Sequence, residues 1–284
     1  MSILEKDSVV TLEQLERTAQ MIALESLTPG QLLHAIPQRM PAFVSDVKLF
    51  ISNMLHARDM TVVGAIDTRV LEKSLPKENY VALSEISVYV PPSMNKDWLS
   101  FLAALAESQA VVEKIQTETL DPTLRYLAAL LTNPQSMASA RSRTNEYAII
   151  FHDLAKVKSR IAACYAKAGA DTKVRYGDVF ARNADVVDAM KQLNDISDRC
   201  AAIDKQQVID SVNEITGALD KLLIRMKQNP NEYKPSGITL NDLSKLTMNL
   251  GHEIEFFASH VYLVQSANQA MADTKEKIDN VLKK

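Results

Sequence analysis

The sequence has little glycine, few aromatic residues and almost no cysteine. Seven glycines in 284 residues and 6% aromatic content are low for a β-rich fold or a nucleotide-binding α/β enzyme, since both use glycine at tight turns or phosphate loops. Cys164 and Cys200 are too few for a disulfide framework and are not arranged as a metal pair. The composition therefore favours long helices and a reduced, cytoplasmic environment.

The sequence also lacks a strong charge and any long hydrophobic run. Lys and Arg total 32 against 35 for Asp and Glu, a formal charge of −3 that does not favour nucleic acid. Apolar stretches such as the one from Phe101 to Ala106 are far shorter than the roughly 20 residues of a membrane helix. The N-terminus has neither the basic start nor the apolar core of a secretion signal. We therefore expect no nucleic-acid partner and no membrane span.

What the sequence does contain is helical periodicity with capping signals, so the predicted fold class is all-α. Asn95 precedes a long helical pattern, which Asp121 and Pro122 interrupt. Residues 61–90 are the exception, because β-branched residues and short alternations there allow a small β-hairpin. A helical interpretation of part of that segment stays open.

The domain prediction depends on one polar segment without periodicity. Residues 133–143 are rich in small and polar side chains and predict a linker. They separate an N-terminal helical domain, residues 1–132, from a long helical bundle, residues 144–284.

The bundle prediction comes from heptad-like spacing after the linker. Apolar residues step by three and four through residues 150–168, 186–200, 208–226 and 247–282. The step from Cys200 through Asp204 to Val208 is a stutter, so residues 184–228 form either one long helix or two helices with Asp204 as the cap of the second. We predict an elongated antiparallel bundle whose long coiled-coil-like hairpin is joined by a helix at 144–168.

No catalytic, cofactor or metal constellation emerges from the sequence. The five histidines lack the Glu three residues before them that helical di-metal sites use, and the sequence has no serine-hydrolase or phosphate-loop motif. His252 and His260 are eight residues apart, which is not the spacing of a zinc-protease helix. Cys164 and Cys200 fall on apolar stripes and are interpreted as small core residues. We therefore predict no enzyme, no cofactor and no metal.

Two polar residues interrupt the apolar seam of the last helix. Asn268 and Lys275 occupy positions where a core residue is expected. The positions flanking the seam between Ala258 and Thr274 are small and uncharged, which widens the buried face and favours a bundle of three or more helices. Asn268 is the candidate polar layer that sets helix register, and Lys275 marks the point where the seam approaches solvent.

One N-terminal stretch resembles virion structural proteins of large tailed bacteriophages, many of which begin with such a helical segment. It covers residues 12–55, LEQLERTAQMIALESLTPGQLLHAIPQRMPAFVSDVKLFISNML. The resemblance implies a virion component found in the host cytoplasm and in the virion.

The functional prediction combines the long heptad pattern with the lack of a catalytic motif. We expect a non-enzymatic structural or assembly protein that acts through helical interfaces, either with its own copies in an oligomer or with other subunits of a larger assembly. The alternative is a helical membrane-active protein of the pore-forming type, which would need a concealed apolar hairpin.

Overall fold

The structure is a computed structural model that describes residues 66–75, 81–90, 98–134, 172–233, 238 and 240–283. In chain order its elements are α1 Arg69–Ser74, α2 Val81–Ser84, β1 Ser87–Val90, α3 Trp98–Val112, a π-helix Ile115–Leu120, α4 Asp121–Thr132, β2 Thr172–Arg175, α5 Tyr176–Val179, α6 Asn183–Ala201, α7 Lys205–Gln228, α8 Pro230–Tyr233 and α9 Leu240–Leu282. The described residues are mostly helical, which confirms the predicted all-α fold class with its long C-terminal helix.

The chain divides into two compact units, each assembled from three separate segments. The first unit contains Met1–Asp59, Lys114–Asp153 and Lys205–Ala258, and the second contains Met60–Glu113, Leu154–Asp204 and Ser259–Lys284. The residues of α9 are shared between them. Most of the proposed linker, 133–143, lies outside the described residues, so the domain boundary stays a prediction.

In the first unit, all regular secondary structure of the described residues is helical. α4 packs against α7, and the π-helix contacts both. The predicted apolar stripe of α7 is buried at five positions: Val208, Val212, Ile215, Leu219 and Leu222. The Asp121 N–H bonds to the carbonyl of Gln116, five residues earlier, which is the π-helical pattern. The predicted interruption at Asp121 and Pro122 is therefore the end of a π-helix and the start of α4.

The second unit packs α3 and α1 on α6. The Asn194 side chain on α6 bonds to both backbone groups of Ile66, donating to its carbonyl oxygen and accepting from its N–H, each at 2.8 Å. Gly177 in α5 lies close to α2, because a Cβ at this position would be 3.1 Å from the Cβ of Ser84. This close approach accounts for the glycine.

The β-structure differs from the predicted hairpin in its pairing. β1 lies inside the segment 61–90, but it pairs antiparallel with β2, with Ser87 opposite Arg175 and Val90 opposite Thr172. Among the described residues of 61–90, the rest is helix or irregular, and β2 comes from a stretch for which no strand was predicted. Pairing across more than eighty residues of sequence is long-range, and local alternation cannot identify the partner.

The open alternatives in the C-terminal half resolve in favour of two helices. α6 ends at Ala201 and α7 begins at Lys205, directly after Asp204. Arg182 is the N-cap of α6, where its N–H bonds to the Asp185 carboxylate at 2.9 Å. α9 continues through Gly251 to Leu282. The predicted helix at 144–168 lies outside the described residues.

Candidate functional site: a buried serine–histidine network

His260 is the centre of a buried polar network in the second unit. It lies on α9 with 1% of its surface exposed, against two residues of α3 that are also fully buried. Its Nδ1 is 2.7 Å from the hydroxyl oxygen of Ser108, and its Nε2 is 2.7 Å from the Oε1 of Gln109. Both ring nitrogens are therefore hydrogen-bonded to α3.

The network continues from Gln109 to an ion pair between Glu113, which directly follows α3, and Arg199 on α6. The amide nitrogen of Gln109 donates to Glu113 Oε1 at 3.1 Å. Arg199 binds the same carboxylate in a bidentate manner, with Nε 2.8 Å from Oε1 and one Nη 2.9 Å from Oε2. The bidentate pair fixes the orientation of the guanidinium and carboxylate planes. The Glu113 carboxylate is therefore held in place as the acceptor for the Gln109 amide nitrogen.

This chain of donors and acceptors defines the tautomer of His260. The Glu113 carboxylate only accepts, so Gln109 turns its amide nitrogen to Glu113 and its oxygen to His260. His260 must then donate from Nε2, which leaves Nδ1 as an acceptor, so the one hydrogen of the Ser108 hydroxyl is shared between Nδ1 at 2.7 Å and the carbonyl oxygen of Leu105 at 2.9 Å. The imidazole is satisfied on both sides in its neutral form.

The electrostatics of the network agree with a neutral imidazole. Burial lowers the pKa of His260 to about 4, and the charge of Glu113 only partly opposes this. Hydrogen bonds from Arg199 hold the pKa of Glu113 below its usual value. At neutral pH the network therefore contains one ion pair at its exposed end and an uncharged histidine inside.

A serine hydrogen-bonded to a histidine provides two of the three members of a nucleophilic triad. The geometry around Ser108 and His260 does not complete one. Ser108 has no exposed surface, and its hydroxyl also lies 2.9 Å from the carbonyl oxygen of Leu105. The second histidine nitrogen faces a neutral amide instead of the carboxylate that would stabilise an imidazolium. The arrangement can hold α3 against α9, but it cannot present the hydroxyl to a substrate in this conformation.

The two residues singled out in the sequence are both on α9. Asn268 is completely buried, and its amide nitrogen donates to the hydroxyl of Ser197 on α6 at 2.7 Å, while its Oδ1 has no hydrogen-bond partner among the described residues. Lys275 is one-quarter exposed and pairs with Asp279 at 2.6 Å. Asn268 thus joins two helices, as a register residue would, and its effect on register stays a prediction.

A second buried titratable side chain, Glu253, lies in the first unit and was not predicted as a site. It is 2% exposed, and among the described residues neither carboxyl oxygen has a partner in good hydrogen-bonding geometry. Burial raises its pKa to about 7, and the hydroxyl of Thr119 on the π-helix offsets only part of this. The sequence contained a signal, because Glu253, His260, Ala267 and Thr274 form a row at seven-residue intervals beside the seam. All four are buried.

The remaining predicted residues provide no further site. Cys200 is buried on α6, as its apolar stripe predicted, and Cys164 lies outside the described residues. Across the described ranges, no group of three His, Cys, Asp or Glu side chains is placed to hold a metal ion.

Neither membrane topology nor similarity adds a function to this network. In the part of the chain that the structure describes, no helix combines the length and apolarity needed to cross a bilayer. No family model, curated protein or solved structure matches the chain.

Proposed function

We propose that this chain is a non-enzymatic structural or assembly protein that acts through helical interfaces with other protein subunits. The observation that carries the proposal is the use of its buried polar side chains. His260 bonds to two residues of α3, and Asn268 bonds to Ser197 of α6, so each joins one helix to another. Buried polar groups that bond from one helix to another favour one helix alignment over others.

A virion component of a tailed bacteriophage is the more specific form of this proposal. It depends on the resemblance of residues 12–55, which lie outside the described residues. A protein of that class must hold a fixed shape while its surface contacts neighbouring subunits. The polar cross-helix bonds supply the first requirement, and the exposed helix faces supply the second.

The proposal is tested by sedimentation velocity on the purified chain over a hundredfold concentration range, together with mass spectrometry of proteins that co-purify at low salt. We expect a concentration-dependent oligomer or a stoichiometric protein partner. A chain that stays monomeric and retains no partner would contradict the proposal. A matched variant, Ser108→Ala, removes the only buried nucleophile of the network and should leave association unchanged, because that hydroxyl lies inside the fold.

A further inference from the structure

An open groove lies between α4 and α7 in the first unit. Its volume is about 520 Å³, and it is lined mostly by small and apolar residues, together with one amide and two charged side chains. The lining residues are Leu124, Ala128, Leu131, Asn213, Glu214, Gly217, Ala218 and Lys221. Ile224 lies on the same face of α7, one and two helical turns beyond Lys221 and Gly217, and is 55% exposed.

The packing of the described residues does not explain Gly217. It lies in the interior of a 24-residue helix, where glycine is less favourable than alanine. A Cβ added at this position would meet no atom of the described residues within 4 Å. The missing side chain instead leaves a surface at which the backbone of another helix can approach closely.

The charges along this face are arranged symmetrically about Gly217 and Ala218. Glu214 lies three residues before Gly217, and Lys221 lies three residues after Ala218. Glu214 and Lys221 are exposed, and both line the open groove together with Gly217 and Ala218. Within the described part of the chain, neither Glu214 nor Lys221 has an ion-pair partner.

A second pair of charges repeats the pattern further out. Asp210 lies seven residues before Gly217, and Arg225 lies seven residues after Ala218, both exposed. Asp210 accepts a hydrogen bond from Gln206, and Arg225 donates one to the carbonyl oxygen of Leu131, which holds it beside the groove. The face thus has acids on its N-terminal side and bases at equal distances on its C-terminal side.

This symmetry identifies the kind of partner. When two identical helices cross antiparallel about a two-fold axis, a residue before the axis faces the residue at the same distance after it in the other copy. With the axis at Gly217 and Ala218, Glu214 faces Lys221 of the second copy, and Asp210 faces Arg225 of the second copy. Both relations then occur twice.

We propose that this face of α7, together with the groove beside α4, pairs with the same face of a second copy of the chain. The crossing is antiparallel, with Gly217 and Ala218 at its centre and Ile224 covered at each end. The proposal deepens the proposed function by naming one partner and one surface for it.

Charge reversal tests the symmetry directly. In the full chain, Glu214→Lys puts two lysines opposite each other at both symmetry-related positions, and sedimentation equilibrium should show dimerisation weakened by about tenfold or more. The double variant Glu214→Lys with Lys221→Glu restores opposite charges at both positions. Its dimer affinity should return to within about threefold of the original chain. Glu276→Lys, which reverses an exposed acid on α9, is the matched control and should have no effect.

Each other outcome overturns the proposal. If the chain dimerises and Glu214→Lys changes nothing, the surface is wrong, but the proposed assembly function stands. If Glu214→Lys weakens association and the double variant does not recover it, the face meets a different surface. If the original chain is monomeric at every concentration, the self-pairing is wrong, and co-purifying proteins alone test the assembly function.

A second variant separates loss of pairing from loss of folding. Gly217→Leu adds a side chain into open space, so the circular dichroism spectrum and thermal unfolding at low concentration should show an intact helical fold. The same variant fills the centre of the crossing, and its dimer should dissociate at least tenfold more readily. An intact fold with unchanged dimer affinity would contradict the proposal.

Discussion

His260 and Glu253 lie seven residues apart on α9, and the two compact units bury them in opposite ways. In the second unit both ring nitrogens of His260 are hydrogen-bonded, whereas in the first unit neither carboxyl oxygen of Glu253 has a partner in good hydrogen-bonding geometry among the described residues. A buried titratable group becomes tolerable either by complete hydrogen bonding in its neutral form or by a pKa shift that neutralises it. His260 uses both means, and Glu253 has only the second.

The difference gives the two residues opposite effects on stability as pH changes. His260 has its pKa lowered from 6.5 to about 4, so its contribution is complete above pH 6.5 and is lost as pH falls towards 4. Glu253 has its pKa raised from 4.5 to about 7, so its contribution is complete below pH 4.5 and is lost as pH rises through 7. Between pH 4.5 and 6.5 the two dependences oppose each other and flatten the profile.

The largest expected effect comes from replacing His260, whose ring nitrogens are both hydrogen-bonded. His260→Ala should lower the free energy of unfolding by about 4 kcal/mol, because it leaves a cavity and removes the partner of the buried Gln109 oxygen. Urea unfolding at pH 7 measures this change. Val264→Ala, on the same helix and completely buried, leaves a cavity without an orphaned polar atom.

The control variant should lose a smaller amount, about 2 kcal/mol. A double-mutant cycle with Gln109→Ala should give a coupling energy between His260 and Gln109 of about 1 kcal/mol or more. Equal losses in His260→Ala and Val264→Ala, without coupling, would mean that the network contributes only its volume.

The next largest effect is expected on replacing Glu253. Glu253→Gln cannot ionise, so its free energy of unfolding should equal that of the original chain near pH 4.5 and exceed it by about 3 kcal/mol above pH 7. Urea unfolding at intervals between pH 4 and 8 measures the divergence. Glu276→Gln on the exposed face of α9 should show none. A constant offset across this range would mean that the Glu253 carboxyl is solvated.

A smaller effect is expected at Asn268. Its amide nitrogen is hydrogen-bonded, whereas its Oδ1 has no partner among the described residues. Asn268→Leu removes the unpartnered Oδ1, while the Ser197 hydroxyl keeps its bond to the carbonyl oxygen of Leu193. The free energy of unfolding should therefore rise by about 1 kcal/mol. The register role predicts that this gain is accompanied by more than one oligomeric or helix-alignment state in native mass spectrometry. A single, unchanged state would contradict that role.

The smallest effect is expected at Lys275, where the charge is partly exposed and paired within its own helix. Lys275→Met should change the free energy of unfolding by less than about 0.5 kcal/mol, because pairs of this spacing are weak and screened by salt. Thermal unfolding at low and high salt measures it. A loss of more than 2 kcal/mol would show that the ammonium has a buried partner in addition to Asp279.

These residues also show how far the sequence alone could lead. The row Glu253, His260, Ala267 and Thr274 lies beside an apolar seam, and the small neighbours correctly indicated a widened buried face. The stutter at Asp204 marked the place where α6 and α7 separate, but it left open whether the segment is one helix or two. Both signals are local, because they depend on spacing within one helix.

The partners of these residues could not be obtained in the same way. Ser108 and Gln109 precede His260 by about 150 residues, so their contact depends on the register between α3 and α9. The pairing of β1 with β2 is long-range for the same reason. The π-helix was also missed, because its six residues between two helical patterns are too few to establish a period of their own.

The structure makes His260 a neutral structural residue whose proton lies on Nε2. Nuclear magnetic resonance of the chain labelled with ¹⁵N in histidine measures this protonation state, with the signal assigned by its loss in His260→Gln. We expect a neutral imidazole protonated on Nε2 from pH 8 down to about 5, and a protonation midpoint near pH 4. A midpoint near the ordinary value of 6.5, or a proton on Nδ1, would contradict it.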